Sequence, residues 1–415
     1  MRMPALSDPV RDQYETLPYP TRDPRDEGKR LIVGSPSHLA ELNHFVFGGA
    51  RDLTKPFRAL IAGGGTGDAA IMLAQQLADA GAVQAEIVYL DWSLASRAIA
   101  EARAKTRGLT TLRFVTGSIL DIDSFGLGAF DYIDCCGVLH HLDDPVAGLA
   151  TLKRALAPQG GMGLMLYGAL GRIGVYHVQA LLRSLGADRE TPESRLGLGR
   201  KLLAQLPQTN WLKRNPFVSD HVAEGDSGLH DLLLHARDRA YEVDEVAALV
   251  ESAGLRITAF MPPARYEPAS YLSDPALLKR LSTLSPIERA AFAERLAGNI
   301  KAHVFYVVDA ANPVAPPGPD HPETVPVWFD ADPAPLRKAL AGSMLSVTAE
   351  GSGLRFPLPP LAAAIAAQID GRRTLREIHA AVGEKAPLDW AAFARQFALL
   401  YAALHGAGKL LLRRA

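Results

Sequence analysis

A glycine-rich loop between a predicted strand and a predicted helix is the feature that most constrains the fold of this chain. The apolar run Leu60-Ile61-Ala62 leads into Gly63-Gly64-Gly65-Thr66-Gly67, a helical pattern follows, and a second apolar run ends at Asp91. Glycines let the backbone pass close beneath a bulky ligand, because no Cβ stands in the way. The helix N-terminus and the carboxylate after the second strand then bind the ligand's polar groups. The order predicts a nucleotide-type pocket at the carboxyl edge of a parallel sheet.

The spacing of the glycines distinguishes between nucleotide ligands. They follow G-x-G-x-G, and Asp68 stands where a dinucleotide fingerprint has its last glycine. That fingerprint cradles a pyrophosphate group. S-adenosylmethionine (SAM) has no pyrophosphate, so the shorter loop favours SAM over a dinucleotide.

Two further motifs follow at larger distances along the chain. A predicted strand over 130–135 leads into Gly137-Val138-Leu139-His140-His141-Leu142-Asp143-Asp144-Pro145, and Leu156-Ala157-Pro158-Gln159-Gly160 precedes an apolar strand. Together with the glycine loop, these motifs resemble the class I SAM-dependent methyltransferases, in particular the group whose fourth strand ends in G-V-L-H-H-L-x-D-P. The resemblance covers about residues 55–310 and implies SAM as the cofactor.

Short apolar runs alternate with helical stretches, which predicts an α/β fold with helices on both faces of a parallel sheet. Strands are expected at 58–62, 86–90, 111–115, 130–135, 161–167, 255–260 and 302–308, with a turn at 158–161 between the fourth helix and the fifth strand. The resemblance implies a seven-stranded Rossmann-like sheet of the class I methyltransferase type, with its last strand antiparallel.

The pattern along the chain predicts four parts. Residues 1–50 are polar and irregular. Their segment 13–20, Q-Y-E-T-L-P-Y-P, is similar to one in related methyltransferases, which implies a lid over the cofactor; the alternative is a strap that only anchors the N-terminus. Residues 51–310 form the methyltransferase domain, in which about 168–241 is a helical cap insertion above the substrate entrance. Residues 311–326 are a Pro-rich linker. Residues 327–415 resemble a small, mainly α winged-helix domain with three helices and a final strand.

The resemblance implies a set of cofactor-binding residues. Asp91 would accept hydrogen bonds from the ribose, and Trp92 would lie against the adenine. Ser118 stands where the family often carries an acid that contacts the adenine amine, so that hydrogen bond is not expected here. Ile61 stands where many members carry another acid, so the methionine amino group would depend on backbone carbonyls near Ala62 and Gly137. The predicted cofactor-binding residues are Ala62, Gly63, Gly65, Thr66, Gly67, Asp68, Asp91, Trp92, Ser118, Ile119, Gly137 and Val138.

Few catalytic side chains are expected, because methyl transfer from a sulfonium is an in-line displacement. Positioning alone contributes about 7–11 kcal/mol in favourable cases. His140 follows the fourth strand and either orients or deprotonates the acceptor, or packs against the next helix together with His141. Tyr14, Tyr19 and Tyr167 are candidates for lining the acceptor site.

Composition limits the partners that we expect. The formal net charge of −1 argues against a protein that depends on a broad nucleic-acid-binding field, and no apolar run is long enough to span a bilayer. The adjacent Cys135 and Cys136 are interpreted as buried strand residues, because they cannot form a disulfide framework and lack a nucleophile motif. No metal site is expected. A cytoplasmic enzyme is the simplest interpretation.

The predicted function is methyl transfer from SAM to a small-molecule or peptide/protein acceptor. Two alternatives stay open, namely a non-catalytic SAM-binding regulatory or interaction protein and an RNA methyltransferase. Residues 327–415 carry 11 Lys and Arg against 7 Asp and Glu. We expect this mild excess to be solvated, with peptide or protein capture or a homodimer contact favoured over nucleic acid.

Overall fold

A computed structural model of the protein describes residues 8–329, 333–349, 351–384 and 386–415. The strands are β1 (Phe57–Ala62), β2 (Ala85–Asp91), β3 (Leu112–Thr116), β4 (Phe130–Cys136), β5 (Leu156–Tyr167), β6 (Leu255–Met261), β7 (Ala302–Asp309), β8 (Thr324–Trp328), β9 (Met344–Ala349), β10 (Ser352–Pro357) and β11 (Leu410–Arg414).

The α-helices are α1 (Pro9–Thr16), α2 (Leu39–Glu41), α3 (Asp68–Asp79), α4 (Leu94–Arg107), α5 (Pro145–Arg154), α6 (Val175–Ser184), α7 (Pro192–Gln205), α8 (Trp211–Arg214), α9 (Asp220–Ala223), α10 (Gly225–Leu233), α11 (Val243–Ser252), α12 (Pro275–Leu281), α13 (Pro286–Ala297), α14 (Pro333–Ala339), α15 (Ala362–Gln368), α16 (Leu375–Gly383) and α17 (Trp390–Gly406). A π-helical turn (Leu42–Val46) follows α2, and short 3-10 turns include Pro24–Gly28, Ile119–Phe125 and Leu139–His141.

Seven strands form one sheet in the order β3-β2-β1-β4-β5-β7-β6. Strands β1 to β5 are parallel, and β7 runs antiparallel to both β5 and β6. This topology confirms the predicted seven-stranded Rossmann-like α/β sheet with an antiparallel last strand. It places the loops after β1, β2, β3 and β4 side by side at one edge.

The two faces of the sheet bury different apolar sets, because side chains alternate along a strand. Leu60 and Ile133 pack on the face covered by α5, α11 and α13. Ala59 and Ile61 pack on the other face, against α3 and the turn Leu42–Val46. Both faces are therefore covered, as a parallel sheet requires.

The predicted turn at 158–161 is wrong, since these residues belong to β5. The strand already begins at Leu156 and changes register against β4 between Phe130 and Tyr132. A Cβ on Gly160 would lie 2.7 Å from the Asp131 carbonyl oxygen. Glycine thus permits the close approach of the two strands at this irregularity.

The segment over residues 8–50 has more regular structure than the irregular chain predicted for it. Asp8 accepts a hydrogen bond from the Val10 N–H and caps α1. Further along, Leu42, Phe45 and Val46 are buried against the sheet. Residues 1–7, which the predicted lid includes, lie outside the described residues.

The C-terminal part contains two antiparallel strand pairs, β8 with β11 and β9 with β10, around the helices α15, α16 and α17. The three expected helices and the final strand correspond to α15–α17 and β11, whereas the hairpin β9–β10 was not expected. Strand β8 begins inside the predicted linker 311–326. The resemblance of this part to winged-helix domains stays a prediction.

Strand β11 also contacts the segment before β1. The Arg414 N–H donates to the Gly49 carbonyl oxygen over 2.8 Å, and the His44 Nδ1 lies 2.7 Å from the Leu412 carbonyl oxygen. Across the described ranges, the chain has no helix long and apolar enough to cross a membrane.

Candidate functional site

The loop between β1 and α3 has a backbone that requires glycine. Gly63 and Gly67 have φ angles of 76° and 101°, in the left-handed region. A Cβ on Gly63 would lie 2.3 Å from Val138 Cγ2, and one on Gly67 would lie 2.8 Å from Ala100 Cβ. The loop is thus held between the turn after β4 and helix α4, with its backbone exposed to a cavity.

That cavity has a volume of about 340 Å³ and lies over the carboxyl ends of β1, β2, β3 and β4. Most of the predicted site residues line it, whereas Ala62 and His140 do not. The predicted residues on its wall are Tyr14, Tyr19, Gly63, Gly65, Thr66, Gly67, Asp68, Asp91, Trp92, Ser118, Ile119, Gly137, Val138 and Tyr167.

Asp91 stands at the end of β2 with its carboxylate against the glycine loop. Its Oδ2 accepts from the Gly65 N–H and its Oδ1 from the Ser93 N–H, each over 2.8 Å. Burial raises the pKa of this carboxyl, although the backbone hydrogen bonds oppose that rise. Each oxygen keeps a second lone pair, so the carboxylate can still accept from two ligand hydroxyls.

The wall beyond β2 and β3 suits a flat aromatic ring. Trp92 and Ile119 line it, and Ile119 is almost fully buried. Ser118 accepts a hydrogen bond from the Leu120 N–H over 3.2 Å and so caps the short helix that follows β3. The geometry therefore offers an apolar slot at one end of the cavity and the Asp91 carboxylate near its middle. These residues fit an adenosyl group.

The N-terminal segment crosses the glycine loop and is tied to it. Thr66 Oγ1 donates to the Pro20 carbonyl oxygen over 2.8 Å. Arg22 Nη2 lies 2.7 Å from Asp68 Oδ2, and Arg103 Nη1 lies 2.6 Å from Asp68 Oδ1. Burial acts to raise the pKa of Asp68, but the two guanidinium groups lower it overall. The Asp68 carboxylate, which lies on the cavity wall, is therefore paired with two arginines that do not line the cavity themselves.

A polar group closes the opposite end of the cavity. Tyr14 and Tyr167 donate through their hydroxyls to the two oxygens of Asp231, over 3.0 Å and 3.2 Å. Asp231 lies on α10, between β5 and α11, and burial raises its pKa. The Arg172 guanidinium lies 3.6 Å from the centre of the Tyr167 ring. The N-terminal segment, β5 and α10 thus meet at one carboxylate.

The two histidines after β4 have different surroundings. His141 lines the cavity, stacks on His235 at 3.8 Å and has its Nδ1 2.8 Å from the Arg237 carbonyl oxygen. His140 is buried beneath Tyr167, with a ring separation of 4.0 Å and no hydrogen-bond partner among the described residues for either nitrogen. Burial lowers the pKa of both histidines, so both are neutral near pH 7.

Sequence reasoning missed two carboxylates that line the cavity, Asp134 and Asp231. Asp134 interrupts the buried strand β4, and an acid inside such an apolar strand is a signal that sequence inspection can use. Asp231 lies in an insertion, where no local pattern shows which side chain faces the cavity. Cys136 also lines the cavity, but burial raises the pKa of its thiol well above the ordinary value. Within the described ranges, no three His, Cys, Asp or Glu side chains converge as metal ligands.

Comparisons with known proteins agree with this geometry. Residues 60–162 match the methyltransferase domain family. An uncharacterized protein of Synechococcus sp. is 29% identical over 298 residues, which is 71% of this chain and 70% of that protein. The demethylmenaquinone methyltransferase of Thermus thermophilus is 33% identical over 152 residues, which is 34% of this chain and 66% of that enzyme.

Among solved structures, PKMT2 from Rickettsia typhi in complex with AdoHcy superposes with a TM-score of 0.64 at 14% identity. The alignment covers 91% of this chain and 76% of that one, so the likeness in fold extends into the C-terminal part. The chain thus contains a methyltransferase domain over residues 60–162 and has the fold of the class I methyltransferases. Together these findings support a SAM-dependent methyltransferase.

Proposed function

We propose that this enzyme transfers the methyl group of SAM to a nucleophilic atom of a small molecule or of a peptide or protein side chain. The observation that carries the proposal is the continuity of one cavity, from the Asp91 carboxylate over the glycine loop to the Tyr14–Asp231–Tyr167 group. The first end suits an adenosyl ligand and the second suits a polar acceptor. SAM bound at the first end and an acceptor bound at the second would therefore lie next to each other in one cavity.

We propose the following roles for the lining residues. Asp91 binds the ribose, Trp92 and Ile119 pack on the adenine, and the backbone of Gly63 and Gly65 passes beneath the sugar and the sulfur. When bound, SAM supplies an electrophilic methyl group whose thioether leaving group needs no proton. The chain itself therefore has to position the acceptor, exclude water and receive one proton.

His141 is the candidate for receiving that proton. The Arg237 carbonyl oxygen can only accept a hydrogen bond, so Nδ1 of His141 carries the hydrogen and Nε2 keeps its lone pair. Because burial keeps the imidazole neutral, the lone pair is available near pH 7. Tyr14 and Tyr167 orient the acceptor beside it. In this assignment His141, rather than the predicted His140, deprotonates the acceptor, and His140 supports the Tyr167 ring.

We propose that the segment before β1 and the insertion after β5, which both cover the cavity, form part of the acceptor site. Tyr14 and Tyr19 belong to the segment before β1, and Asp231 belongs to the insertion after β5. We propose that residues 8–50 act as a lid and residues 168–241 as a cap. The name of the Thermus thermophilus relative gives a small quinone-type acceptor. A peptide or protein side chain that reaches the polar Tyr14–Asp231–Tyr167 end of the cavity is the other proposed acceptor.

The test uses purified full-length protein with methyl-labelled SAM and an extract separated into small molecules, protein and RNA. We expect label in the small-molecule or protein fraction, and loss of that label with Asp91→Ala. SAM binding without any transferred label would contradict methyl transfer and support a non-catalytic SAM-binding protein. Label confined to RNA would overturn the proposed acceptor class.

A further inference from the structure

Asp134 is a buried carboxylate on the cavity wall to which the proposed roles assign no task. It stands in β4 directly beside Ile61 of β1 in the sheet register, and only 2% of it is exposed. Its Oδ2 accepts from Ser37 Oγ over 2.6 Å. Within the described ranges, no Lys or Arg lies in ion-pair distance of it. A carboxylate in such a place carries a desolvation cost that a cationic ligand would offset.

The other three carboxylates on the wall are already engaged. Asp68 is paired with two arginines, Asp91 holds the glycine loop, and Asp231 accepts from two tyrosines. No Lys or Arg is among the residues that line the cavity. Asp134 is thus the carboxylate on the cavity wall that is left to bind a positively charged group of a ligand.

The strand order shows which part of the cofactor reaches Asp134. Neighbouring strands follow the order β3-β2-β1-β4, so their loops line up along one edge. Ile119 after β3 and Asp91 at the end of β2 take the adenine and the ribose. The remainder of the cofactor continues past the glycine loop to β4. That remainder is the amino acid portion, which carries an ammonium group.

We propose that Asp134 binds the ammonium group of the methionyl portion of SAM. Ile61 on β1 has no charge, so the negative charge comes from Asp134 on the neighbouring strand β4. This inference rests on SAM as the cofactor. Burial raises the pKa of Asp134 to about 6, so the carboxyl is ionised at pH 7.5 and protonated in mild acid.

Further titratable groups surround this carboxylate. The Tyr132 hydroxyl lies 3.2 Å from Ser37 Oγ, Glu41 accepts from the Tyr306 hydroxyl, and Cys135 and Cys136 follow Asp134 on its own strand. Burial raises the pKa of both tyrosines and both thiols, so these four groups stay neutral over the range tested. Glu41 and Asp68 are the further acids near Asp134, and the arginines beside Asp68 lower its pKa.

Two ligands distinguish ammonium binding by Asp134 from a purely structural role of this side chain in the cavity wall. S-Adenosylhomocysteine carries the amino acid portion, whereas 5′-methylthioadenosine keeps the adenosyl thioether and lacks it. Calorimetry with Asp134→Asn at pH 7.5 should show S-adenosylhomocysteine binding at least tenfold more weakly, with 5′-methylthioadenosine affinity within about twofold of the wild-type value. Asp131→Asn, on the same strand but outside the cavity, should leave both affinities unchanged.

The wild-type protein provides a second measurement that does not depend on the folding of a variant. Its affinity for S-adenosylhomocysteine should fall about tenfold from pH 7.5 to pH 5, while its affinity for 5′-methylthioadenosine changes much less. Equal losses for both ligands, or no loss, in either experiment would overturn the proposal. Failure of the wild-type protein to bind both ligands at pH 7.5 would overturn the cofactor assignment itself.

Discussion

The buried guanidinium of Arg103 donates to the carboxylate of Glu27 over 2.7 Å and thereby joins helix α4 to the N-terminal segment. The same guanidinium lies 2.6 Å from Asp68 at the start of α3 and donates to the Thr66 carbonyl oxygen. One side chain therefore holds the N-terminal segment, the glycine loop and two helices together.

Arg103→Met should destabilise the protein by about 3–5 kcal/mol, because it removes a buried guanidinium from the buried Glu27 carboxylate and from Asp68, which then keep only Arg107 and Arg22. Urea unfolding gives the free energy directly. The matched control is Arg97→Met on the same helix, where a half-exposed pair with Glu101 contributes about 0.3–0.5 kcal/mol. Equal losses in the two variants would contradict the central role of Arg103.

Asp91→Ala should weaken S-adenosylhomocysteine binding about 10- to 100-fold. Hydrogen bonds to a charged group contribute about 1.5–3 kcal/mol, and 1.4 kcal/mol corresponds to a factor of ten. Isothermal titration calorimetry measures the change, with circular dichroism to verify the fold. Glu86→Gln is the control, since Glu86 lies on the same strand and pairs with Arg58 at the surface. Unchanged affinity in the Asp91 variant would contradict ribose binding by this carboxylate.

His141→Gln should lower kcat about 10²- to 10⁴-fold, the range that general base catalysis contributes, with little change in S-adenosylhomocysteine affinity. Because burial lowers the pKa of His141, the wild-type rate should decline only below pH 6.5. His379→Gln is the control, since His379 also contacts a backbone carbonyl but lies on α16 outside the cavity. A kcat that is equal in both variants would exclude His141 as the proton acceptor.

Asp134→Asn should change the pH dependence of stability in the absence of ligand. Folding raises the pKa of Asp134 from 3.8 to about 6, so the native state retains a proton that the unfolded state releases between those values. The stability that the protonated Asp134 carboxyl contributes to the free energy of unfolding is fully present below about pH 4. It is lost as the pH rises to about 6. The total is about 3 kcal/mol, at 1.36 kcal/mol per pKa unit.

The asparagine variant should therefore gain stability relative to the wild type as the pH rises from 4.5 to 7.5. Urea unfolding of both proteins at pH 4.5, 6 and 7.5 provides the comparison. A stability difference that stays constant across this series would show that Asp134 does not titrate in that window.

The sheet and the glycine loop were predictable because their signals are local. Alternation of strands and helices predicts the parallel sheet, the family resemblance adds its antiparallel last strand, and the order from Gly63 to Asp91 predicts a cofactor pocket at one edge. The paired histidines were harder, since the 3-10 turn Leu139–His141 decides which ring lies on the cavity wall. Sequence spacing does not report the rotation of such a short turn.

The acceptor end depends on contacts between distant parts of the chain. Tyr14 and Asp231 are separated by 217 positions, and no local pattern relates them. Asp134 is close to Ile61 only because of the register between β1 and β4. The sequence therefore supported the cofactor end in more detail than the acceptor end.

The N-terminal segment that Thr66 holds through the Pro20 carbonyl would have a kinetic consequence in its proposed role as a lid. Tyr19 and Pro20 line the cavity beside the glycine loop, so in that role spent cofactor would leave only after the segment has swung outward. Such movements take microseconds to milliseconds and often limit turnover. The slow event in each cycle would then be departure of the demethylated product, with chemistry completed well before the gate reopens.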